Sequence, residues 1–162
     1  IVVLATEGTI KSGAYEEAVK SLSTKAKVIP LACPTFVPLV ESGEYEGQFS
    51  YNLVKNGLKS IENERFDTVI LGCTHYPILQ KQIEAAVGPD VHVLSSAQET
   101  AKDVESILSF KGQLRTEKEP PKHMFHASGS VPIFRSIAER WLEQGTIDLH
   151  KISFEKWQLN SS

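Results

Sequence analysis

Short β-branched apolar runs alternate along this chain with segments whose apolar residues recur every three or four positions. The runs IVVLA (1–5), AKVIPLA (26–32), DTVILG (67–72), VHVLS (91–95) and MFHA (124–127) predict strands, and a last short strand is expected in DLHKISF (148–154). Helical spacing follows most of them. Ser12 is placed to cap a helix with Ala14, Tyr15, Ala18, Val19 and Leu22 on one face. Phe49, Leu53, Val54, Leu58 and Ile61 mark a second helix within 47–64. Ile78, Leu79, Ile83 and Val87 mark a third that begins near Pro77 and ends at Gly88. AQETAKDVESIL (97–108) and residues 131–143, with Ile133, Phe134, Ile137, Ala138, Trp141 and Leu142, give two more. PTFVPLVESG (34–43) holds Pro34 and Pro38, which allow at most a short helix. TEGTIKSG (6–13) and FKGQLRTEKEPPK (110–122) read as loops.

Strands alternating with helices make βαβ units, so the expected fold class is α/β with a mostly parallel sheet. Ligands of such sheets bind outside the carboxyl ends of the strands. That geometry singles out four loops: Thr6–Gly8, Gly72–Tyr76, Ser95–Ala97 and Ala127–Ser130. Three are rich in hydroxyls and one carries a thiol.

The thiol, Cys73, lies in LGCTHYP (71–77), at a strand end and ahead of a helix start. Backbone N–H groups there favour a thiolate. His75 is placed to assist it or to move a proton to or from a substrate. A buried packing thiol is the competing reading, since free Cys is among the most buried residue types. Thr6 and Thr9 of TEGT can turn hydroxyls toward an anion, or simply satisfy their own backbone. Cys33 also follows a strand but has no imidazole beside it and reads as packing. Glu41 reads as a solvated turn carboxylate. TIKSG lacks the full spacing of a phosphate-binding loop, and no GxGxxG is present.

Composition narrows the classes without choosing among them. With 162 residues, 41% hydrophobic and 23% charged, the chain is ordinary for a globular protein. A net charge of −3 gives no broad attraction to nucleic acid or an anionic membrane, and neither is expected as a partner. No apolar run approaches the ~20 residues that span a bilayer. Two cysteines make no disulfide framework and suggest a reducing compartment. The five histidines are scattered, so no closed zinc site is expected. The chain opens on a strand already under way, without an initiator Met, so a beginning upstream is expected.

Taken together, these segments resemble the glutamate racemases of the aspartate/glutamate racemase superfamily. LGCTHYP resembles their second-cysteine motif. TEGTIKSGAY is similar to their G-T-x-G-T-x-x-S-x-x-Y segment, LACPTFVPLVESG to A-C-P-x-F-V-P-L-V-E-x-G, and SSAQETA to D-S-A-x-x-T-A. The resemblance implies a parallel-sheet α/β sandwich, with residues 1–94 as one complete domain and 95–162 as part of another. It implies cofactor-independent interconversion of L- and D-glutamate by two thiols on opposite faces of the α-carbon, for peptidoglycan synthesis in the bacterial cytoplasm, by a homodimer. By position it makes Cys73 the second catalytic cysteine and His75 its assisting acid/base. Thr74, Thr6 and Thr9 become substrate contacts, and Glu41 an auxiliary carboxylate. Cys33 matches a cysteine that is not the catalytic partner. The family's A-C-N-T-A segment, with the first cysteine, and its D-S-G-x-G-G segment are absent here, so this chain alone is expected to be inactive. Ser95 stands where the family has Asp, and FHASGS where it has a Thr-Thr-Gly-Asp-like turn. Two other readings stay open: a non-catalytic amino-acid or protein binding module of this fold, and a racemase for aspartate.

Overall fold

A computed structural model describes residues 1–142 and 145–153 of the chain. Position 143 of the last expected helix, Phe154 of the last expected strand and residues 155–162 lie outside the described residues. The chain divides into two units, Ile1–Arg115 and Thr116 onward.

The first unit is a parallel four-stranded sheet with flanking helices. β1 (Val2–Ala5) is buried along its whole length. It lies between β2 (Ile29–Ala32) and β3 (Thr68–Leu71), and β4 (His92–Ser95) follows β3 at the edge, in the order β2-β1-β3-β4. An unbroken apolar run such as VVLA suits a central parallel strand, which is covered on both faces. The register pairs Ala5 with Ala32, Leu4 with Leu71 and Leu71 with Ser95, so every carboxyl end opens on the same edge.

The helices are α1 (Glu7–Ser12), α2 (Ala14–Leu22), α3 (Phe36–Ser42), α4 (Gly47–Gly57), α5 (Gln80–Val87) and α6 (Ser96–Phe110). Phe36, Leu39, Val40, Val54, Tyr76, Leu79 and Ile83 complete the core against the strands. Gly57 is required by packing: a β-carbon there would stand 2.7 Å from Phe36 Cε1.

Several expectations change in detail. TEGTIKSG is a helix, α1, rather than a loop. Thr6 caps it by accepting from the Thr9 N–H at 3.4 Å, Glu7 and Lys11 suit its two ends, and Gly13 closes it with φ 68°. Six residues are too few to display a helical period. The face predicted for α2 is not a core face: none of its residues is fully buried, and Leu22 is 89% exposed. Tyr76–Leu79 form a 3-10 turn, and α5 starts only at Gln80. α6 groups with the first unit, which runs to Arg115.

The second unit is one βαβ crossover, β5 (Met124–Ala127), α7 (Val131–Trp141) and β6 (Asp148–Lys151), with the strands parallel. Arg135 Nη1 donates to Glu139 Oε1 and to the Ile147 carbonyl, both at 3.0 Å, fixing α7 to the entry of β6. Among the described residues no helix is long and apolar enough to cross a membrane.

Candidate active site

The carboxyl edge of the first unit's sheet collects the residues that the sequence singles out. Hydrogen bonding continues one residue past the strands: the Cys33 N–H donates to the Ala5 carbonyl at 3.0 Å, and the Gly72 N–H to the Leu4 carbonyl at 2.8 Å. Continued by one residue, this register sets Thr6 between the chains that carry Cys33 and Cys73. Neighbouring strands lie about 4.8 Å apart, so the hydroxyl loop and the thiol loop leave the sheet side by side.

The two cysteines have opposite environments. Cys33 is buried, and its thiol is directed at the Leu31 carbonyl at 3.8 Å. Burial pushes its pKa up to about 12, so it stays a protonated, packing thiol across the neutral range. Cys73 is half-buried, and its thiol has no hydrogen-bond partner among the described residues. An accessible, uncommitted thiol at a strand end is the one available for chemistry.

His75 stands beside it in sequence, with a quarter of its side chain exposed. Its Nε2 lies 3.2 Å from Glu41 Oε1, and its Nδ1 lies 3.4 Å from Thr74 Oγ1. A carboxylate only accepts, so the proton of the neutral ring belongs on Nε2. Nδ1 is then left as an acceptor facing the Thr74 hydroxyl. Glu41, read from sequence as a solvated turn carboxylate, is thus brought to His75 by α3, although half of it remains exposed. The Thr6 and Thr9 hydroxyls are hydrogen-bonded to each other at 3.1 Å, which leaves one of their two O–H donors for an anion. His75 and Glu41 are joined directly, and so are Thr6 and Thr9; the Cys73 thiol is hydrogen-bonded to neither pair.

Two supports went unread in the sequence. Tyr76, buried within LGCTHYP, donates its hydroxyl to the Cys33 carbonyl at 2.9 Å. Its ring meets Phe36 edge-on, with centroids 5.3 Å apart. Burial, and secondarily the charges of Cys33 and Cys73, hold its pKa well above the usual phenol value. Ser96 donates to the Leu71 carbonyl at 2.7 Å, and Ser95 caps α6 by accepting from the Gln98 N–H. An aromatic residue three positions past a candidate thiol was the only signal for the first.

The raised Cys33 pKa has a consequence at high pH. In the unfolded chain the thiol ionises near its ordinary value of 9.0, and in the folded chain only near 12. The unfolded state therefore binds fewer protons between those values, and folding stability falls as pH rises through that window. The slope reaches about 1.4 kcal/mol per pH unit for one proton. Tyr76 adds loss in the same direction. Urea midpoints measured from pH 8 to 11 should fall steadily, and less steeply in Cys33→Ala.

No group of three or more His, Cys, Asp or Glu residues is placed to hold a metal ion among the described residues.

Comparison with known proteins agrees with the fold. Residues 1–104 match the Asp/Glu/Hydantoin racemase family. A glutamate racemase from Lysinibacillus sphaericus is 71% identical over 155 residues, covering 96% of this chain and 58% of that protein. A crystal structure of a glutamate racemase isoform from Bacillus anthracis superposes with a TM-score of 0.84 at 42% identity, over 94% of this chain and 57% of that one. A glutamate racemase from Francisella tularensis, solved in complex with D-glutamate, superposes with a TM-score of 0.82 at 29% identity, over 94% and 57% of the two chains. The chain therefore spans somewhat under three fifths of the length of the relatives it matches. A match over well more than half of its residues, on the α/β parallel-sheet fold just described, places this chain in the Asp/Glu/Hydantoin racemase family.

Proposed function

We propose that this chain carries one half of a two-thiol site that interconverts L- and D-glutamate, with Cys73 as its thiol. The observation that carries the reading is the uncommitted, half-buried Cys73 thiol at the sheet edge, beside the Thr6–Thr9 hydroxyls and the Glu41–His75 pair. Relatives named glutamate racemase supply the substrate. In the resemblance the other thiol, the family's first catalytic cysteine, belongs to the A-C-N-T-A segment, which these 162 residues do not contain.

The chemistry accounts for each group. A thiolate on one face of the α-carbon removes the proton, and a thiol on the other face returns one. A single base would restore the face it had emptied. Cys73 serves as base for one enantiomer and as acid for the other. His75, oriented by Glu41, exchanges protons with substrate or thiol. Thr6, Thr9 and Thr74 hold the carboxylate, whose negative charge grows as the carbanion forms. No cofactor is required, because the thiols do the proton transfer. The same reading divides the chain at 94, with 95–162 rejoining a second domain. It also makes the intact enzyme a cytoplasmic bacterial homodimer that supplies D-glutamate for peptidoglycan.

The test is polarimetry on the full-length gene product. Rotation of L-glutamate should decay to zero while that of L-aspartate persists. Decay of aspartate instead would move the chain to an aspartate racemase, and no decay of either would make it a binding module. His75→Gln should slow glutamate racemisation about 10²-fold, a typical share for one acid/base group. Glu41→Gln, on a half-exposed carboxylate, should slow it less.

A further inference from the structure

Gly72 immediately precedes Cys73, and its surroundings are unusually close. A β-carbon built on it would stand 3.0 Å from Tyr15 Cε2, 3.1 Å from Tyr15 Cζ and 3.2 Å from the Leu4 carbonyl oxygen. The Gly72 N–H is already bonded to that Leu4 carbonyl at 2.8 Å. The backbone leading into Cys73 is thus held between the β1 main chain and one aromatic ring.

That ring belongs to α2, which has no fully buried residue of its own. Tyr15 is half-buried, and its contact at Gly72 is what α2 brings to this strand end. The Tyr15 hydroxyl has no hydrogen-bond partner among the described residues, so the ring makes the contact. On the far side of Cys73, Tyr76 ties the same turn to the Cys33 carbonyl. Cys73 therefore sits on a short span pinned by two tyrosines, one through its ring and one through its hydroxyl.

We propose that Tyr15 is a positioning residue for Cys73: its ring fixes the Gly72 backbone and, through it, the direction of the thiol. The catalytic consequence rests on the two-thiol reading above. A thiol that must meet an α-proton at near-attack distance is sensitive to displacements of about 1 Å, which can cost about 10²-fold in rate. A ring packed on a glycine sets that distance without touching the substrate.

The experiment compares Tyr15→Phe and Tyr15→Ala in the full-length gene product. Phe keeps the ring, so its kcat should stay within about twofold of the parent. Ala should lower kcat by about 10- to 10²-fold with little change in KM. Primary isotope effects from α-deuterated L- and D-glutamate should also become unequal in Tyr15→Ala. The effect should rise for the enantiomer whose proton Cys73 removes and fall for the one Cys73 reprotonates. A merely structural residue would scale kcat with the folded fraction and leave both isotope effects unchanged; that result, or damage in Phe equal to that in Ala, overturns the proposal.

A second readout is independent of racemase activity. The rate of Cys73 alkylation by iodoacetamide should shift by about an order of magnitude in Tyr15→Ala and stay unchanged in Tyr15→Phe. If the parent fails to racemise glutamate, the functional reading falls and this rate alone decides whether Tyr15 positions the thiol. Equal rates in all three proteins reject it.

Discussion

Cys73→Ala should abolish glutamate racemisation in both directions, by about 10³-fold or more in kcat. One acid/base group is typically worth about 10²- to 10⁴-fold. Cys73 lies toward the upper end because it acts in both directions, as base for one enantiomer and as acid for the other. Alanine removes the proton carrier from one face and leaves nothing that the described residues can substitute. Cys33 cannot take over, since burial holds its thiol protonated up to about 12. The loss should leave the fold intact: Cys73 is half-buried and makes no hydrogen bond that alanine would forfeit. Polarimetry from each enantiomer, with a thermal melt on the same sample, checks both statements. Cys73→Ser should fall between parent and alanine, because a hydroxyl keeps the shape but ionises far less readily.

Tyr76→Ala should destabilise the protein by about 3–5 kcal/mol, the range for emptying a buried aromatic site. Two losses combine. The ring is fully buried and meets Phe36 edge-on, and its hydroxyl satisfies the Cys33 carbonyl. The backbone N–H at this position, which closes the turn by donating to the Cys73 carbonyl at 3.1 Å, survives the substitution. Tyr76→Phe isolates the hydroxyl and should cost about 0.5–1.5 kcal/mol, the net value of one hydrogen bond, because the Cys33 carbonyl still accepts from the Phe36 N–H at 3.2 Å. Urea midpoints of the three proteins measure these differences. If the phenylalanine variant matches the parent, the bond to the Cys33 carbonyl contributes nothing net.

The strands were the most legible part of the fold. VVLA and TVIL are short, apolar and β-branched, and a parallel sheet needs such runs. The position of Cys73, Thr6 and Thr9 at the carboxyl edge follows from those strands alone. The misread segments have physical causes. α1 has six residues and a cap, which leaves no period to detect. α2 has an amphipathic pattern, yet its Leu22 is almost wholly exposed. Pattern reports which side chains are apolar, and it is silent on what covers them. The site's supports were hidden for another reason. Glu41 reaches His75 across 34 positions, and Tyr76 reaches Cys33 across 43. Neither pairing leaves a periodic mark, and only the packing of α3 against the turn after β3 brings them together. The Tyr15 contact is legible only as a glycine with no room for a methyl group.

The most direct test of the two-thiol account is racemisation of L-glutamate by the full-length gene product in D₂O, followed by α-position deuterium content early in the reaction. Two thiols on opposite faces predict that D-glutamate forms carrying deuterium while the unreacted L-glutamate keeps its protium. Deuterium entering the remaining L-glutamate as fast as it enters the product, or protium carried over into D-glutamate, would mean that one base serves both faces, and Cys73 would not be half of a pair.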